Sequence, residues 1–351
     1  MTDIAFLDLN APPYDADMLA RGDFGGLEKA TVNLAVALAA RGARVSVINN
    51  VAESRSLGGV RWIARGGDQA GVAAALRTAD VVVTNNEPRS FAWADRVEPL
   101  RGLPVMWLHN QAPLLKTLRR GRLPSLWRWR PLAVFPSLHQ MRRTSRVHAF
   151  RGREVIWHGL EAPFLDADPP AARPPRAIYT ARAEAGLAKL LTLWITRIAP
   201  ACPEARLHVL CDPQRLAPMG RSAEALAAHG IRVLGRLPRE AMIRELREAR
   251  VMLYPGHPHL RETFSIASAE AMALGVPLVT LGVGALRERV RHGVDGFIAR
   301  DHEAVARHAI DLLRDDALNA RLGRNARDRY RTLTWDGQAR QWEVLLKRNK
   351  V

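Results

Sequence analysis

Two glutamates stand eight positions apart in an otherwise small and apolar stretch, RETFSIASAEAMALGVP, which covers residues 261–277. Glu262 follows an apolar run that is typical of a buried strand, and Ser265 is a suitable N-cap for a helix that ends near Gly275. Glu270 then lies inside that helix. At about 1.5 Å per residue, eight positions on a helix span roughly 12 Å, so the two carboxylates are too far apart to work as an acid–base pair.

The same spacing suits the binding of one elongated ligand. Each carboxylate can accept hydrogen bonds from hydroxyl groups, and the amides at the helix start, near Phe264, Ser265 and Ile266, can bind an anion between them. A nucleoside-diphosphate sugar has this layout, because ribose and sugar hydroxyls flank its pyrophosphate. A simpler interpretation is that both glutamates are exposed surface acids, which are common in proteins. The rest of the chain has to decide between these interpretations.

The elements that must position these residues alternate between short apolar runs and longer amphipathic ones, a pattern typical of βαβ units around a parallel sheet. In the first half, strand-like runs cover residues 4–9, 44–49, 80–86 and 104–110, and a helical pattern covers 26–42. In the second half, strand-like runs cover residues 177–182, 206–211, 232–236, 250–256 and 277–282. Several runs lead directly into polar residues at their carboxyl ends, where α/β sheets bind their ligands.

A proline-rich segment separates the two halves. Residues 166–176 contain four prolines, at positions 169, 170, 174 and 175, a composition typical of a linker. We therefore predict an α/β fold with two Rossmann-like, doubly wound domains that face each other across a cleft. The predicted limits are 1–165 for the first domain, 166–176 for the hinge and 177–330 for the second domain.

Composition excludes several classes of protein. The chain has 351 residues, two cysteines and a formal net charge of +17. Two cysteines are too few for a disulfide framework, which favours a reducing compartment. The N-terminus carries acids where a signal peptide would carry lysines, and no apolar run reaches the roughly 18 residues of a membrane span. We therefore predict a cytoplasmic protein whose positive charge draws it to polyanions.

Several motifs, in a consistent order, resemble those of the retaining GT-B glycosyltransferases of family GT4, the glycosyl transferases of group 1. Residues 262–280 and 282–297 closely resemble the E-x7-E segment of that family. Four further stretches look like its glycine-rich loop and first helix, its histidine-bearing strand end, its approach to the donor site and its closing helices: 22–48, 105–110, 247–256 and 329–346. The resemblance implies a GT-B fold with an acceptor-side first domain, a donor-binding second domain, and a C-terminal helix at 331–351 that crosses back to the first domain.

The resemblance also implies roles for individual residues. The implied catalytic residues are His109, Arg182 and Glu262, and the implied donor-binding residues are Gly25, Gly26, Arg182, Lys189, Thr263, Phe264, Ser265, Ile266, Glu270 and Glu288. In this arrangement Glu270 binds the ribose, Glu262 faces the transferred sugar and His109 lies beside the anomeric carbon. Arg182 pairs with the pyrophosphate, because a guanidinium suits its charge and geometry. Without the family context, a lone histidine after a strand is more often structural, and a glycine pair is an ordinary turn.

One position departs from the family pattern. Relatives place a second basic residue shortly after the arginine, in a stretch resembling R-x-x-K/R-G-L, but this chain has Ala185 there. If the missing cation resembles a lost oxyanion donor, transition-state stabilisation falls by about 3 kcal/mol. Lys189, one helical turn further on, is the candidate to compensate. Otherwise the chain is a weakly active or degenerate relative.

The mechanism that the resemblance implies is retention at the anomeric carbon without a metal ion or another cofactor. His257 and His259 have the look of a metal pair, but no third ligand follows at a suitable spacing. We interpret them as loop residues and predict no metal site.

A strongly basic region lies in the predicted first domain. From residue 99 to 153 there is no acid, and cations alternate with tryptophans and leucines. The predicted acceptor or membrane surface consists of Lys116, Arg119, Arg120, Arg122, Trp127, Arg128, Trp129 and Arg130. Such a surface suits anionic headgroups or a phosphorylated glycolipid, although a solvated basic face accounts for it equally well. A single-strand nucleic-acid groove has a similar composition, but it leaves the segment from Glu262 to Glu270 unexplained.

These observations predict a retaining glycosyltransferase. It would move a sugar from a nucleotide sugar to a glycolipid, lipopolysaccharide or polysaccharide acceptor, in the cytoplasm or peripherally on the inner face of the cell membrane. Two alternatives within the fold are a nucleotide-sugar epimerase and a catalytically degenerate carbohydrate-binding relative.

Overall fold

The computed structural model describes residues 1–17, 25–170, 172–257, 259 and 262–349. The chain divides into two compact units, one formed by Met1–Gly159 with Trp335–Val351 and the other by Leu160–Thr334. Each unit is built on one sheet.

The first unit contains an eight-stranded sheet. Its strands are β1 (Asp3–Leu7), β2 (Arg44–Asn49), β3 (Arg55–Leu57), β4 (Val60–Ala64), β5 (Val81–Asn85), β6 (Leu103–Trp107), β7 (Leu132–Phe135) and β8 (Gly152–Val155). The order across the sheet is β3-β4-β2-β1-β5-β6-β7-β8, and only the edge pair of β3 and β4 is antiparallel. The chain therefore builds outward from β1 on one side and returns to add β5 on the other. The carboxyl ends of β1 and β5 form the switch point where such sheets bind ligands.

The helices of the first unit are α1 (Gly26–Ala40), α2 (Gln69–Thr78), α3 (Arg89–Val97), α4 (Leu114–Arg119), α5 (Leu123–Trp129) and α6 (Leu138–Arg143), with a short 3₁₀ turn at Arg146–His148. The core is apolar and rich in tryptophan: Phe6, Trp62 and Trp107 are each at most 1% exposed. The C-terminal helix Trp335–Asn349 belongs to this core, because Trp342 packs edge-to-face on Trp107 at a centroid distance of 5.3 Å.

The second unit contains a six-stranded parallel sheet. Its strands are β9 (Arg176–Tyr179), β10 (Arg206–Val209), β11 (Ile231–Val233), β12 (Val251–Leu253), β13 (Leu278–Thr280) and β14 (Gly296–Ile298), in the order β11-β10-β9-β12-β13-β14. Each described strand pair of this sheet is parallel. The switch point lies between β9 and β12, so the loops that follow these two strands are the expected place for a ligand.

The helices of the second unit are α7 (Ala162–Leu165), α8 (Leu187–Leu193), α9 (Ala199–Ala201), α10 (Ala223–Ala227), α11 (Arg239–Glu248), α12 (Ile266–Ala273), α13 (Leu286–Arg289), α14 (His302–Arg314) and α15 (Asp316–Tyr330). Shorter turns lie at Ala183–Ala185, Pro213–Arg215 and Ala217–Met219, and a π-helical turn at Trp194–Ile198 extends α8. The C-terminal helix of the first unit, Trp335–Asn349, is α16. The predicted fold class is confirmed, since both units are doubly wound α/β domains.

The proline-rich segment differs from the prediction. The division of the chain falls at Gly159 and Leu160, so residues 166–176, predicted as the hinge, belong to the second unit. The cause is Arg173, whose guanidinium donates hydrogen bonds to the carbonyl oxygens of Arg247, Leu274 and Gly275 at 2.7–2.9 Å. Two of these bonds satisfy carbonyls at the carboxyl end of α12 and the third satisfies one at the carboxyl end of α11. Together they fix the segment against its own unit. Composition shows the prolines but not this anchor.

Candidate functional site

The loops after β9 and β12 bring together two residues that the sequence predicted as catalytic. Arg182 follows β9 and Glu262 follows β12, and Nη2 of the arginine lies 4.0 Å from Oε1 of the glutamate. The Arg182 side chain is 67% exposed whereas that of Glu262 is 21% exposed. A ligand therefore has open access to the guanidinium, and the carboxylate is held at the edge of the fold.

Two buried tyrosines donate hydrogen bonds to Glu262 and Arg182. Tyr254, at the end of β12, donates its hydroxyl hydrogen to Oε1 of Glu262 at 2.5 Å, and Tyr179, at the end of β9, donates to the carbonyl oxygen of Arg182 at 2.7 Å. Their rings pack edge-to-face at 6.1 Å. Burial raises the pKa of both phenols, and the nearby Glu262 carboxylate raises both further. Both hydroxyls therefore stay protonated donors.

The start of α12 has an unusual backbone. Ser265 has φ 65° and ψ 73°, which is the left-handed region that non-glycine residues rarely adopt. The prediction that the Ser265 side chain caps the helix is wrong, because the structure gives it no side-chain cap bond. Its carbonyl oxygen instead accepts from the hydroxyl of Ser268 at 2.8 Å. Residues held in this region cost of order 1–3 kcal/mol and cluster at ligand sites.

The two loops meet through glycines. Gly186 has φ 106°, and a Cβ atom added there would lie 2.7 Å from the carbonyl oxygen of Gly256. The close approach excludes any side chain at Gly186. It also brings the turn at Ala183–Ala185, which follows Arg182, against the backbone after β12.

Ala185 and Lys189 bear on the departure from the family pattern. Ala185 is completely buried, so its methyl group is part of the core rather than of an open anion site. Lys189 is exposed on α8. The positive charge of Lys189 acts on His302 at the start of α14. Burial is the main cause of the lowered pKa of His302, and Lys189 lowers that pKa further.

The other predicted donor residues of the second unit lie on α12, α13 and the loop before α12. Thr263, Ile266 and Glu270 are half-buried, and so is Glu288 on α13. Phe264 is buried, and the guanidinium carbon of Arg289 lies 4.3 Å from its ring centroid.

Sequence reasoning missed Arg289 and Tyr254. Arg289 is fully buried, and this burial lowers its pKa to about 10. No sequence signal marked Arg289, because α13 has the sequence LRER and its other charged residues lie beside it. The signal for Tyr254 was a polar atom directly after a buried strand.

A second cluster lies at the β1 and β5 switch point of the first unit, where the structure places His109. Nε2 of His109 lies 3.2 Å from Oδ1 of Asn85, the last residue of β5. The backbone amides of His109 and Asn110 both donate to Oδ1 of Asn86, at 2.8 and 3.0 Å. Burial lowers the pKa of His109 well below its ordinary value, and the stacked ring of His158 lowers it further.

Asn85 connects this histidine to a buried acid. Its Nδ2 lies 3.1 Å from Oδ2 of Asp8 and 2.8 Å from Oγ1 of Thr31. The same Asp8 oxygen accepts from the Tyr14 hydroxyl at 2.8 Å, and burial raises the pKa of Asp8. Sequence reasoning missed Asp8, Asn85 and Tyr14, although two of them follow apolar strands in the same way as His109.

Gly25 and Gly26 begin α1 at the same edge. Gly25 has an ordinary extended backbone, but a Cβ atom there would lie 2.3 Å from Oε2 of Glu28, whose carboxylate folds over the helix start. Around Gly26 a Cβ would meet nothing within 4 Å. Residues 22–24 of the predicted glycine-rich loop lie outside the described residues.

The predicted basic surface separates into two groups. Lys116, Arg119, Arg120 and Arg130 are exposed, as is Trp127. Arg122 instead bonds to Glu87 at 2.5 Å and Arg128 to Asp95 at 3.2 Å, while Trp129 packs on Phe91 with a centroid distance of 6.3 Å. The Arg128 side chain is still 68% exposed beside its pair with Asp95. Arg122 and Trp129 are half-buried, and so less accessible than predicted for an open surface, because Glu87 and Phe91 engage them.

Exposed apolar side chains extend this surface. Leu115, Leu118, Trp127 and Val147 are 58%, 50%, 53% and 46% exposed, and among the residues that the structure describes only Met1 and Val344 are other large apolar residues exposed to this degree. A hydrogen bond from Trp127 Nε1 to the Val147 carbonyl, and one between the Thr117 hydroxyl and His148 Nε2, connect α4, α5 and the Arg146–His148 turn. We call these four residues, with the exposed cations Lys116, Arg119, Arg120, Arg142, Arg143 and Arg146, the apolar-basic patch.

The described residues contain neither a metal-binding cluster nor a membrane-spanning helix. No three histidine, cysteine or acidic side chains come together in a way that could hold a metal ion. In the same ranges, no helix has the length and apolar character needed to span a bilayer.

The class of protein follows from these two units. Over almost its whole length the chain is similar to the sucrose-phosphate synthase of Thermosynechococcus elongatus, with a TM-score of 0.72, 19% identity and 99% of both chains covered. It is also similar to the Anabaena protein HepE, whose structure contains UDP and glucose, with a TM-score of 0.71, 17% identity, and 99% and 100% of the two chains covered. Identities this low show the fold alone, and the fold is that of the GT-B glycosyltransferases.

The family follows from the sequence of the second unit. Residues 174–315 match the family model of the Glycosyl transferases group 1. The D-inositol 3-phosphate glycosyltransferase of Xylanimonas cellulosilytica is 36% identical over 143 residues, which cover 39% of this chain and 34% of that protein. The match thus spans about a third of that relative's length. The predicted resemblance to the group 1 glycosyltransferases is confirmed for residues 174–315, a region that includes Arg182, Glu262 and α12.

Proposed function

We propose that the protein transfers a sugar from a nucleoside-diphosphate sugar to an acceptor hydroxyl. The observation that carries the proposal is the meeting of Arg182 and Glu262 at the switch point of the second unit, inside the region that matches the family. The UDP and glucose in the structure of HepE support a donor of this kind.

Each part of the donor has a suitable group nearby. The exposed Arg182 guanidinium can pair with two oxygens of a diphosphate. Glu262 keeps a second carboxylate oxygen for a sugar hydroxyl, because Tyr254 holds the first. The amides at the start of the eight-residue helix α12 can bind phosphate oxygens, and Glu270 can accept from the ribose.

We propose that transfer retains the anomeric configuration and needs no metal ion. The bond between the anomeric carbon and the diphosphate oxygen breaks, the acceptor oxygen forms the new bond on the same face, and the acceptor proton passes to the departing diphosphate. Arg182 and the amides of α12 would stabilise the negative charge that develops on the leaving group.

Ala185 favours a second candidate, a relative that binds the donor but turns it over slowly. The methyl group is buried where relatives place a cation, so this arginine acts without the expected basic neighbour. Losing such a group costs about 3 kcal/mol, or roughly two orders of magnitude in rate. Donor binding with slow turnover would identify this case.

For the acceptor we propose a glycolipid, lipopolysaccharide or polysaccharide that is reached at an anionic membrane surface. The apolar-basic patch supports this, because exposed Leu118 and Trp127 can enter the headgroup region while the surrounding cations attract anionic lipids. The protein would then lie peripherally on the membrane.

The direct test of the function is turnover. The full chain is incubated with UDP, GDP and ADP sugars and with a lipid extract that carries glycan acceptors, and nucleoside diphosphate release and the product anomer are measured. Release of nucleoside diphosphate and an anomer that matches the donor are the expected results, each lost in Arg182→Ala. An inverted product would contradict retention, and no release with any donor would contradict enzymatic transfer.

A further inference from the structure

The buried hydrogen-bond chain of the first unit fixes the orientation of the Asn85 side chain. Nδ2 of Asn85 lies 3.1 Å from Oδ2 of Asp8, an oxygen that already accepts from the Tyr14 hydroxyl. The amide nitrogen must face this oxygen, since a reversed amide would set two acceptors against each other. The contact with Thr31 requires the same orientation of the amide. The Thr31 hydroxyl donates its hydrogen to the Leu27 carbonyl at 3.1 Å, so its oxygen accepts from Nδ2 of Asn85 at 2.8 Å.

The other atom of that amide faces the imidazole. With the nitrogen committed to Asp8 and Thr31, Oδ1 of Asn85 is the atom that lies 3.2 Å from Nε2 of His109. An amide oxygen only accepts, so Nε2 must carry a hydrogen.

The imidazole has little freedom to turn away from this bond. Its ring lies against Trp107 at a centroid distance of 4.2 Å and stacks on His158 at 5.2 Å with an angle of 4°. The backbone on both sides is held by Oδ1 of Asn86, through the amides of His109 and Asn110. His109 as a whole is 8% exposed.

We propose that Asn85 is a positioning residue that holds His109 in the neutral form with its hydrogen on Nε2, which leaves Nδ1 as a hydrogen-bond acceptor. The role of that acceptor rests on the proposed function. A basic nitrogen accepts from a hydroxyl but repels a phosphate oxygen, so His109 selects a sugar hydroxyl rather than the diphosphate as its partner. The protonated form would do the opposite, because it donates from both nitrogens and attracts phosphate.

The same chain explains why the acid at its far end is buried. Oδ2 of Asp8 is hydrogen-bonded to the Tyr14 hydroxyl and to the Asn85 amide. This oxygen therefore acts on His109 by orienting the amide between them. An acid in direct contact would favour the imidazolium, and the interposed amide avoids this.

The test reads the ring nitrogens by NMR. The full chain is labelled with ¹⁵N-histidine, and the His109 signals are assigned by their loss in His109→Gln. The expected result, without any ligand, is one protonated Nε2, one lone-pair Nδ1, and an Nε2 hydrogen that exchanges slowly with water. A hydrogen on Nδ1, or on both nitrogens at neutral pH, would overturn the proposal.

Two variants separate positioning from a structural role. Asn85→Leu removes the acceptor, and the slowly exchanging Nε2 hydrogen signal should shift upfield and lose its protection. Asn85→Asp keeps an acceptor oxygen, so the Nε2 hydrogen should stay protected, but its carboxylate in direct contact should also favour a second hydrogen on Nδ1. Asn49→Leu is the matched control, because Asn49 is an equally buried amide on β2 whose bonds go to the Tyr14 carbonyl and the Val51 amide. An unchanged Nε2 signal in Asn85→Leu would overturn the proposal. If that variant does not fold, the wild-type spectrum and Asn85→Asp decide.

Activity provides the second readout. For a sugar donor, kcat/KM of Asn85→Leu should fall about tenfold, the ratio that one ordinary hydrogen bond is worth. The NMR measurement needs no substrate, so the two claims are tested separately. If the spectrum is as predicted but the protein binds no nucleotide sugar, the proposed function is refuted and this inference is not. The wrong spectrum in an active enzyme would refute this inference alone.

Discussion

Tyr254 donates its hydroxyl hydrogen to Oε1 of Glu262 at 2.5 Å, and this bond holds the carboxylate beside the guanidinium of Arg182. Removing the hydroxyl with Tyr254→Phe keeps the ring packing on Tyr179. A hydrogen bond to a charged group is worth about 1.5–3 kcal/mol, so kcat/KM for the donor should fall by between one and two orders of magnitude. The measurement is steady-state turnover with the best donor.

Tyr330→Phe is the control for that substitution. Its hydroxyl is equally buried but donates to the Arg289 carbonyl, so the variant should lose stability and keep its donor kinetics. Equal kinetic losses in both variants would show that Tyr254 acts only through the fold.

Ser265 is expected to store backbone strain at the start of α12. Because its φ is 65°, Ser265→Gly should raise the free energy of unfolding by about 1 kcal/mol. Donor affinity should not improve, since glycine gives the anion-binding amides more freedom. Chemical denaturation measures the first effect and titration with a nucleoside diphosphate the second.

Ser222→Gly provides the contrast. Ser222 is an extended N-cap whose hydroxyl oxygen accepts from the amide of Ala225, so glycine there should destabilise the protein. If both glycine substitutions change the free energy of unfolding in the same direction, the result would contradict backbone strain at Ser265.

Restoring the family's basic residue should not restore catalysis. Ala185 is completely buried, so Ala185→Lys overpacks the core, and we expect a loss of about 1–3 kcal/mol in the free energy of unfolding without a rise in kcat. Ala188→Lys, at an exposed neighbouring position of α8, is the matched control and should be nearly neutral. A faster Ala185→Lys enzyme of wild-type stability would mean that the site accepts a cation there after all.

The apolar-basic patch makes a prediction about lipid binding. Leu118→Asp should abolish sedimentation with vesicles that contain anionic phospholipid, because it removes an inserting side chain and adds repulsion. Val344→Asp is matched in exposure, at 53%, but lies on α16, and it should bind as wild type does. Binding to single-stranded DNA that exceeds vesicle binding at physiological salt would instead favour the nucleic-acid interpretation.

His109 predicts how stability depends on pH. Burial lowers the pKa of its folded form below the 6.5 of an ordinary histidine, so below that pH the unfolded chain binds the extra proton. The stabilising contribution is present above pH 6.5 and is lost as pH falls, by about 1 kcal/mol between pH 6.5 and 5.5. Other histidines have lowered pKa values too, so the measured quantity is the difference between wild type and His109→Gln. Parallel curves for the two proteins would contradict the assignment.

Much of the fold was predictable because alternation of apolar runs and helical patterns is a local property. The strands that precede Arg182, His109 and Glu262 were predicted to start within one residue of their observed starts, but to end three residues too late. The packing of residues 166–176 was not predictable, since it depends on Arg173 reaching carbonyls about 75 and 100 positions away in sequence.

The site was predictable only in part, for a related reason. Family motifs name the residues that contact a ligand, and these include Arg182 and Glu262. The groups that hold them, such as Tyr254 below Glu262 and Asn85 beside His109, depend on which strands become neighbours in the sheet. The order of the strands is set only when the chain folds. The same holds for the exposure of the basic residues: Lys116 is exposed, whereas Arg122 pairs with Glu87.

The most direct test of the central claim is calorimetric titration of a nucleoside diphosphate into the full chain, with Arg182→Ala and Arg197→Ala as variants. Arg197 is an exposed arginine of the same unit that pairs with Glu303, so its loss removes the same charge elsewhere. We predict that UDP, GDP or ADP binds wild type and Arg197→Ala equally and binds Arg182→Ala at least tenfold more weakly. Binding that is unchanged in Arg182→Ala, or no binding of any of the three to wild type, would contradict the account.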